Sequence, residues 1–120
     1  MDEQVMRALA QDQTIDITTH GRKTGQTHRI EIRFHNVGGH VYIAGTPGRR
    51  DWYANLLAHP DFIFHLKGTT KADLNARATP IIDPLRRREV MGQIVRNTDW
   101  ANDLDKWVLG SPLVEVTFTD

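Results

Sequence analysis

Arg22, Lys23 and Thr24 stand in consecutive positions between Gly21 and Gly25. The two cations and the hydroxyl are all hydrogen-bond donors, and the flanking glycines free the backbone, which leaves the loop's amides as further donors. Such a loop suits an anion, and a phosphate above all, because Arg offers a planar fork and Lys a point charge. Arg29 follows closely enough to reinforce the group. The plainer reading is a solvated hairpin tip whose charges serve solubility. A P-loop is excluded, since Lys23-Thr24 precede Gly25 and no helix follows, and the dinucleotide-binding glycine pattern is missing.

A second group spans Gly45-Thr46-Pro47-Gly48-Arg49-Arg50-Asp51-Trp52-Tyr53-Ala54-Asn55-Leu56. A glycine turn with exposed amides, two arginines and an aromatic helix start could lie along a flat ring. Equally, Trp52 and Tyr53 suit core anchors and Asn55 a helix surface.

The elements that must hold these groups follow from periodicity. Ile15 and Ile17 before the loop, then Ile30, Ile32 and Phe34 after it, alternate with Asp16, Arg29, Glu31 and Arg33, so the loop joins two strands. Glu3 to Ala10 carries Val5, Met6 and Leu9 at helical spacing and is expected to pack on the barrel. Gly38-Gly39 predicts a tight turn into a strand from His40 to Thr46, with Val41 and Ile43 on one face and Tyr42 and Ala44 on the other. Asp51 is the expected N-cap of a helix from Trp52 to Ala58, which Pro60 stops. Phe62, Phe64 and Leu66 alternate, as do Ala72, Leu74, Ala76 and Ala78, whose small size implies a tightly curved or closed sheet. Asp83-Pro84 opens a helix to about Asn97 with a stripe of Leu85, Met91, Ile94 and Val95. The run Arg86-Arg87-Arg88 opposes that helix's dipole and is expected on a solvated face. Asp99 to Gly110, with Trp100, Leu104 and Trp107, predicts a last helix, and Val114, Val116 and Phe118 a closing strand. Hairpins outnumber strand-helix alternation, so the expected fold is mainly β with helices: one small six-stranded antiparallel barrel over residues 1–120.

Composition narrows the chemistry. Fifteen Lys and Arg offset fifteen Asp and Glu, so attraction to nucleic acid or an anionic membrane must be local, and no nucleic-acid role is expected. Cysteine is absent, which removes disulfides, thiolate catalysis and zinc-thiolate sites. The six histidines at positions 20, 28, 35, 40, 59 and 65 lack metal-ligand spacing, and no metal is expected. Met1-Asp2-Glu3-Gln4 begins acidic without an apolar run, so neither an export signal nor a membrane span is expected, and the cytoplasm is the default compartment. Tyr42 and His35 could protonate a reduced product but equally suit a barrel face.

The stretch Thr18-Thr19-His20-Gly21-Arg22-Lys23-Thr24-Gly25-Gln26, followed by the glycine turn and Trp52-Tyr53-Ala54-Asn55-Leu56-Leu57-Ala58-His59-Pro60, resembles the deazaflavin-dependent nitroreductase and quinone reductase family. Its recurring loop and Trp-Tyr helix are matched in order over about Ile15 to Leu66. The resemblance implies a split β-barrel of the flavin-reductase kind that binds coenzyme F-420, an 8-hydroxy-5-deazaflavin. It assigns Arg22, Lys23 and Thr24 to the coenzyme phosphate with Arg29 in support, and Thr46, Pro47, Gly48 and Arg49 to the deazaflavin and ribityl region. Trp52 and Asn55 would fix the turn and the helix behind it. The implied chemistry is hydride transfer to quinones, nitro compounds or other activated acceptors, by a monomer or a homodimer. No catalytic side chain is assigned, because such a transfer needs chiefly that ring and acceptor be held face to face. Where many relatives carry prolines after the loop, this chain has Thr27, Glu31 and Ile32, which implies a carboxylate near the coenzyme. The competing readings are a flavin mononucleotide protein of the same fold and a non-catalytic small-molecule carrier.

Overall fold

The structure is a computed structural model that describes residues 1–96 and 104–119. Six antiparallel strands, β1 (Thr14–His20), β2 (Thr27–Val37), β3 (His40–Ala44), β4 (Asp61–Lys67), β5 (Lys71–Pro80) and β6 (Leu113–Phe118), close into a barrel in the order β1-β2-β3-β6-β5-β4. Four helices accompany them: α1 (Glu3–Gln11), α2 (Asp51–Ala58), α3 (Pro84–Arg96) and α4 (Leu104–Gly110).

Alternation decides which side chains enter the barrel. Register pairs Ile17 with Ile30 and Ile15 with Ile32 across β1 and β2, and the inward row continues through Phe34. Phe34 and Phe64 meet edge-to-face at 5.3 Å, and Phe64 meets Phe118 at 5.1 Å. Ala76 and Ala78 are buried on β5, where larger side chains would crowd these rings. The expected curvature therefore has its cause in small residues facing large ones. Gly38 and Gly39 have φ of 60° and 91°, the left-handed pair that a two-residue hairpin demands between Val37 and His40.

Both faces of β3 are buried. Val41 and Ile43 belong to the barrel core, while Tyr42 and Ala44 join Ile81, Val90, Met91, Ile94, Val108 and Leu113 in a second core outside the barrel under α3 and α4. Leu85, expected in the stripe of α3, is exposed instead. In the arginine run Arg86 and Arg88 are exposed, as expected, whereas Arg87 is half-buried. Arg86 donates to Glu115 at 2.8 Å and Arg88 to Asp105, while Arg87 donates to the backbone carbonyls of Val108 (2.8 Å), Ile81 (2.7 Å) and Ser111 (2.5 Å). Arg87 thus joins α4 to the loops that precede α3 and β6, and three carbonyls offset the unfavourable placement of its charge in the helix's first turn. Asp83 caps α3 as expected, accepting from the Arg86 amide at 3.0 Å. Trp100, expected in the last helix, lies outside the described residues.

Chain direction puts the β1–β2 loop, α2 and the starts of β4 and β6 at one end of the barrel, and α1 at the other, where Asn36 donates to the Leu9 carbonyl at 3.0 Å. Among the described residues, no helix is long and apolar enough to cross a membrane.

Candidate functional site

The β1–β2 loop closes on itself before it can receive anything. Gly21 donates to the Gln26 carbonyl at 2.7 Å and Gly25 to the Gly21 carbonyl at 2.9 Å. The two glycines are needed for different reasons. Gly25 has φ of 73°, whereas a Cβ on Gly21 would come within 3.1 Å of His28 Nε2 and 3.2 Å of the Gln26 carbonyl. The loop's amides are therefore not all available, contrary to expectation. Gln26 donates to Thr24 Oγ1 at 3.2 Å, which occupies an acceptor position of that hydroxyl and leaves its hydrogen for a ligand.

Asn55 governs the position of the loop. It is 5% exposed, and its Oδ1 accepts both the Arg22 amide and the Arg22 guanidinium at 3.2 Å each, while its Nδ2 donates to Thr19 Oγ1 at 3.4 Å. A residue that could have served as a helix surface instead ties α2 to the end of β1. Asp51, expected as the N-cap, is the first residue of α2; Arg50 occupies the cap position without a side-chain cap bond. Asp51 pairs with Arg22 at 3.7 Å. Trp52 is 8% exposed and belongs to the barrel core, as the core-anchor reading has it, and it also lines the hollow beside the loop.

Between the loop and α2 lies a hollow of about 340 Å³ at the barrel's mouth, lined by Arg22, Lys23, Thr24, Trp52 and Asn55 together with the inward residues Thr19, His28 and Ile30. Asp51 offsets one of the two loop cations, and Lys23 has no ion pair among the described residues. Thr19, His28 and Ile30 were legible as the continuation of the inward rows of β1 and β2, although sequence reasoning did not single them out.

The second group sits on the other side of α2's first turn. Its strand ends at Ala44 and not at Thr46. From there the turn is fastened to the segment before β6: Gly45 donates to the Pro112 carbonyl and Gly48 to the Gly110 carbonyl, both at 3.1 Å, and a Cβ on Gly110 would press on Pro47 at 3.2 Å. Arg50 donates to Thr46 Oγ1 and, at 2.7 Å, to the Arg49 carbonyl. Gly48 and Arg49 line a second hollow, of about 510 Å³, with Tyr53 on its near side. Trp52 and Tyr53 are consecutive, so neighbouring faces of one helical turn, about 100° apart, wall the two hollows.

Arg29 does not join the loop cations. It points to the outer face of the barrel, where it donates to Asp16 at 3.0 Å. Lys67 also donates to Asp16, at 2.7 Å, and pairs with Glu31. The hydrogen bonds donated by Lys67 and then Arg29 hold the Asp16 carboxyl below its ordinary value, and those that Lys67 donates to Asp16 and Glu31 raise its ammonium. Glu31 thus belongs to this outer network and lines neither hollow, although the resemblance implied a carboxylate near the coenzyme. The alternation that placed Arg29, Glu31 and Asp16 on one face already implied it.

Tyr42 and His35 line neither hollow, and both are buried where β2 and β3 pair. Burial, then the charge of Arg33, pushes the His35 imidazole down to about 4, and burial raises the Tyr42 hydroxyl. Because the folded state holds His35 neutral while the unfolded chain protonates it near 6.5, stability is fully present above that value. It is lost as the pH falls from about 6.5 through about 4. Urea melts across that window are expected to show a flatter profile for His35→Gln than for the parent chain; parallel profiles would contradict it.

No curated protein matches the sequence. The sequence model of the F420H(2)-dependent quinone reductases matches residues 2–108. The chain belongs to that family. F420H(2)-dependent quinone reductases are oxidoreductases that draw on the reduced deazaflavin coenzyme F-420. The fold agrees with the assignment. A conserved hypothetical protein of Mycobacterium tuberculosis superposes with a TM-score of 0.77 at 18% identity, covering 100% of this chain and 82% of its own. A structure described as an F420 reductase gives 0.67 at 15% identity over 95% and 92%. A FAD-binding protein of Mesorhizobium loti gives 0.66 at 15% over 97% and 86%. At these identities the three likenesses speak for the split-barrel fold alone.

Proposed function

We propose that this quinone reductase family member binds reduced coenzyme F-420 across α2's first turn, as one barrel domain over residues 1–120, and reduces a quinone or another activated acceptor such as a nitro compound. One observation carries the reading: Arg22, Lys23 and Thr24 converge on a hollow whose far wall is Trp52 and Asn55. Those donors fit a phosphate. Among the described residues Lys23 has no ion pair and the Thr24 hydroxyl hydrogen has no acceptor, and Arg22 is braced by Asn55, so little ordering remains to be done when an anion arrives. In the reading, Thr46, Pro47, Gly48 and Arg49 border the flat head group. Trp52 and Asn55 fix the distance between the two regions by holding loop, turn and helix together.

When bound, the reduced deazaflavin supplies a hydride. The protein's part is to bind, orient and exclude water. The loop cations neutralise the phosphate, Asn55 sets where the loop stands, and the zipped turn at Gly45 to Gly48 gives the ring a rigid neighbour. Arg29 has no part in this assignment, since its guanidinium is engaged by Asp16.

The test is turnover with menadione. Addition of reduced F-420 and menadione to the purified protein is expected to bring back the visible absorbance of the oxidised coenzyme well above the uncatalysed rate as menadione is reduced, and flavin mononucleotide is expected to compete poorly in a fluorescence-quenching titration. Tight coenzyme binding without turnover would mark a carrier, and preferential binding of flavin mononucleotide would mark a flavoprotein of the same fold.

A further inference from the structure

We propose that His28 is the third cationic group of the loop hollow and that its imidazole makes the hold on the coenzyme pH-dependent, firm in mild acid and looser above neutrality; the inference rests on the coenzyme reading above and deepens it. Strand register assigns the residue its side. Thr18 pairs with Arg29 and Thr19 with His28, so alternation turns Arg29 to the outer face and His28 to the mouth of the barrel. There it lines the same hollow as Arg22, Lys23 and Thr24. Its Nε2 stands 3.1 Å from the point that a Cβ on Gly21 would occupy, and Thr24 Oγ1 stands 3.4 Å from the same point. Ring nitrogen and hydroxyl thus border one place, which the missing side chain of Gly21 leaves open. Among the described residues no hydrogen bond or ion pair engages the His28 ring, and the residue is exposed, so it can turn to a ligand at little cost.

The charged groups around the ring are few. Arg22 and Lys23 face the hollow from the loop and Asp51 from α2, where it pairs with Arg22 at 3.7 Å, while β1 brings the uncharged Thr19. His20 lines a separate hollow, and its ring packs against His59 at 6.3 Å. A phosphate in the loop hollow sets a negative charge beside the imidazole and favours its protonated form; by reciprocity the protonated imidazole favours the phosphate. Imidazole is the side chain whose ordinary titration falls between about pH 5 and 8, whereas guanidinium and ammonium groups stay charged across that range. The sign follows: the part of the affinity that His28 supplies is present where the ring carries its proton and is lost as the pH rises. Arg22 and Lys23 hold the coenzyme at every pH, and His28 grades how firmly.

The test is fluorescence titration of F-420 into the full chain, His28→Gln and His28→Arg at about pH 5.5 and about pH 8. From the higher to the lower pH the parent's affinity is expected to gain roughly tenfold more than that of His28→Gln, the worth of one charge-assisted bond, and His28→Arg is expected to keep the tight value at both. Titration of the coenzyme itself is common to the three chains and cancels in the comparison. Calorimetry near neutrality in two buffers of different ionisation heat should show the parent taking up more protons on binding than His28→Gln does, a readout that a merely structural role would not move. Because the side chain is exposed, neither substitution should alter the Tm appreciably. Parallel pH profiles in parent and His28→Gln, or equal proton uptake, would overturn the proposal and leave the coenzyme reading standing. Absence of F-420 binding to the parent at both pH values would overturn both.

Discussion

Replacing Arg22 and Lys23 together by alanine is expected to weaken F-420 binding by about two orders of magnitude with little change in Tm. Hydrogen bonds to charged groups contribute about 1.5–3 kcal/mol each, and for two exposed side chains the lower figure applies, about 3 kcal/mol for the pair. Stability is spared because the bond that positions the loop runs from the Arg22 backbone amide to Asn55, and alanine keeps that amide. The loop's internal bonds, Gly21 to Gln26 and Gly25 to Gly21, are likewise backbone-borne. Fluorescence titration of F-420 into parent and double variant measures the effect. An affinity within about threefold of the parent would remove the phosphate role from these residues.

Trp52→Ala is expected to lower stability by about 3–5 kcal/mol, the usual cost of truncating a large buried aromatic. The side chain is in the barrel core and lies beside Gly45, where an added Cβ would stand 3.5 Å from its ring. It also packs edge-to-face on Tyr53 at 5.9 Å, so its loss opens the partition between the two hollows. Coenzyme affinity should therefore fall with stability, whereas Trp52→Phe should recover part of both. Urea denaturation and an F-420 titration on the same preparations measure the two effects; a loss below about 1 kcal/mol would show that Trp52 is no anchor.

Much of the fold was legible because its causes are local. The alternation around the β1–β2 loop set the register of Ile15, Ile17, Ile30 and Ile32, and the alanines of β5 announced a closed sheet. The site was half legible. The loop's composition pointed to the anion cradle proposed above, but Asn55 reads as an ordinary helix residue until α2 is brought against the end of β1, thirty-three positions away from Arg22 in sequence. Arg87 was misread for the same reason: a basic run at a helix start looks solvated unless carbonyls from three other segments are known to face it. Arg29 was grouped with the loop by nearness along the chain, although strand alternation turns it to the face shared with Asp16 and Lys67.

In the proposed complex the coenzyme's phosphate rests in the β1–β2 loop. A crystal structure of the protein with F-420 bound should place the phosphorus within hydrogen-bonding reach of Arg22, Lys23 and Thr24, with the ring beside Gly48 and Arg49. A phosphate found instead at the outer-face hollow of Arg29, Lys67 and Lys71, or a ring on the far side of the barrel from α2, would contradict it.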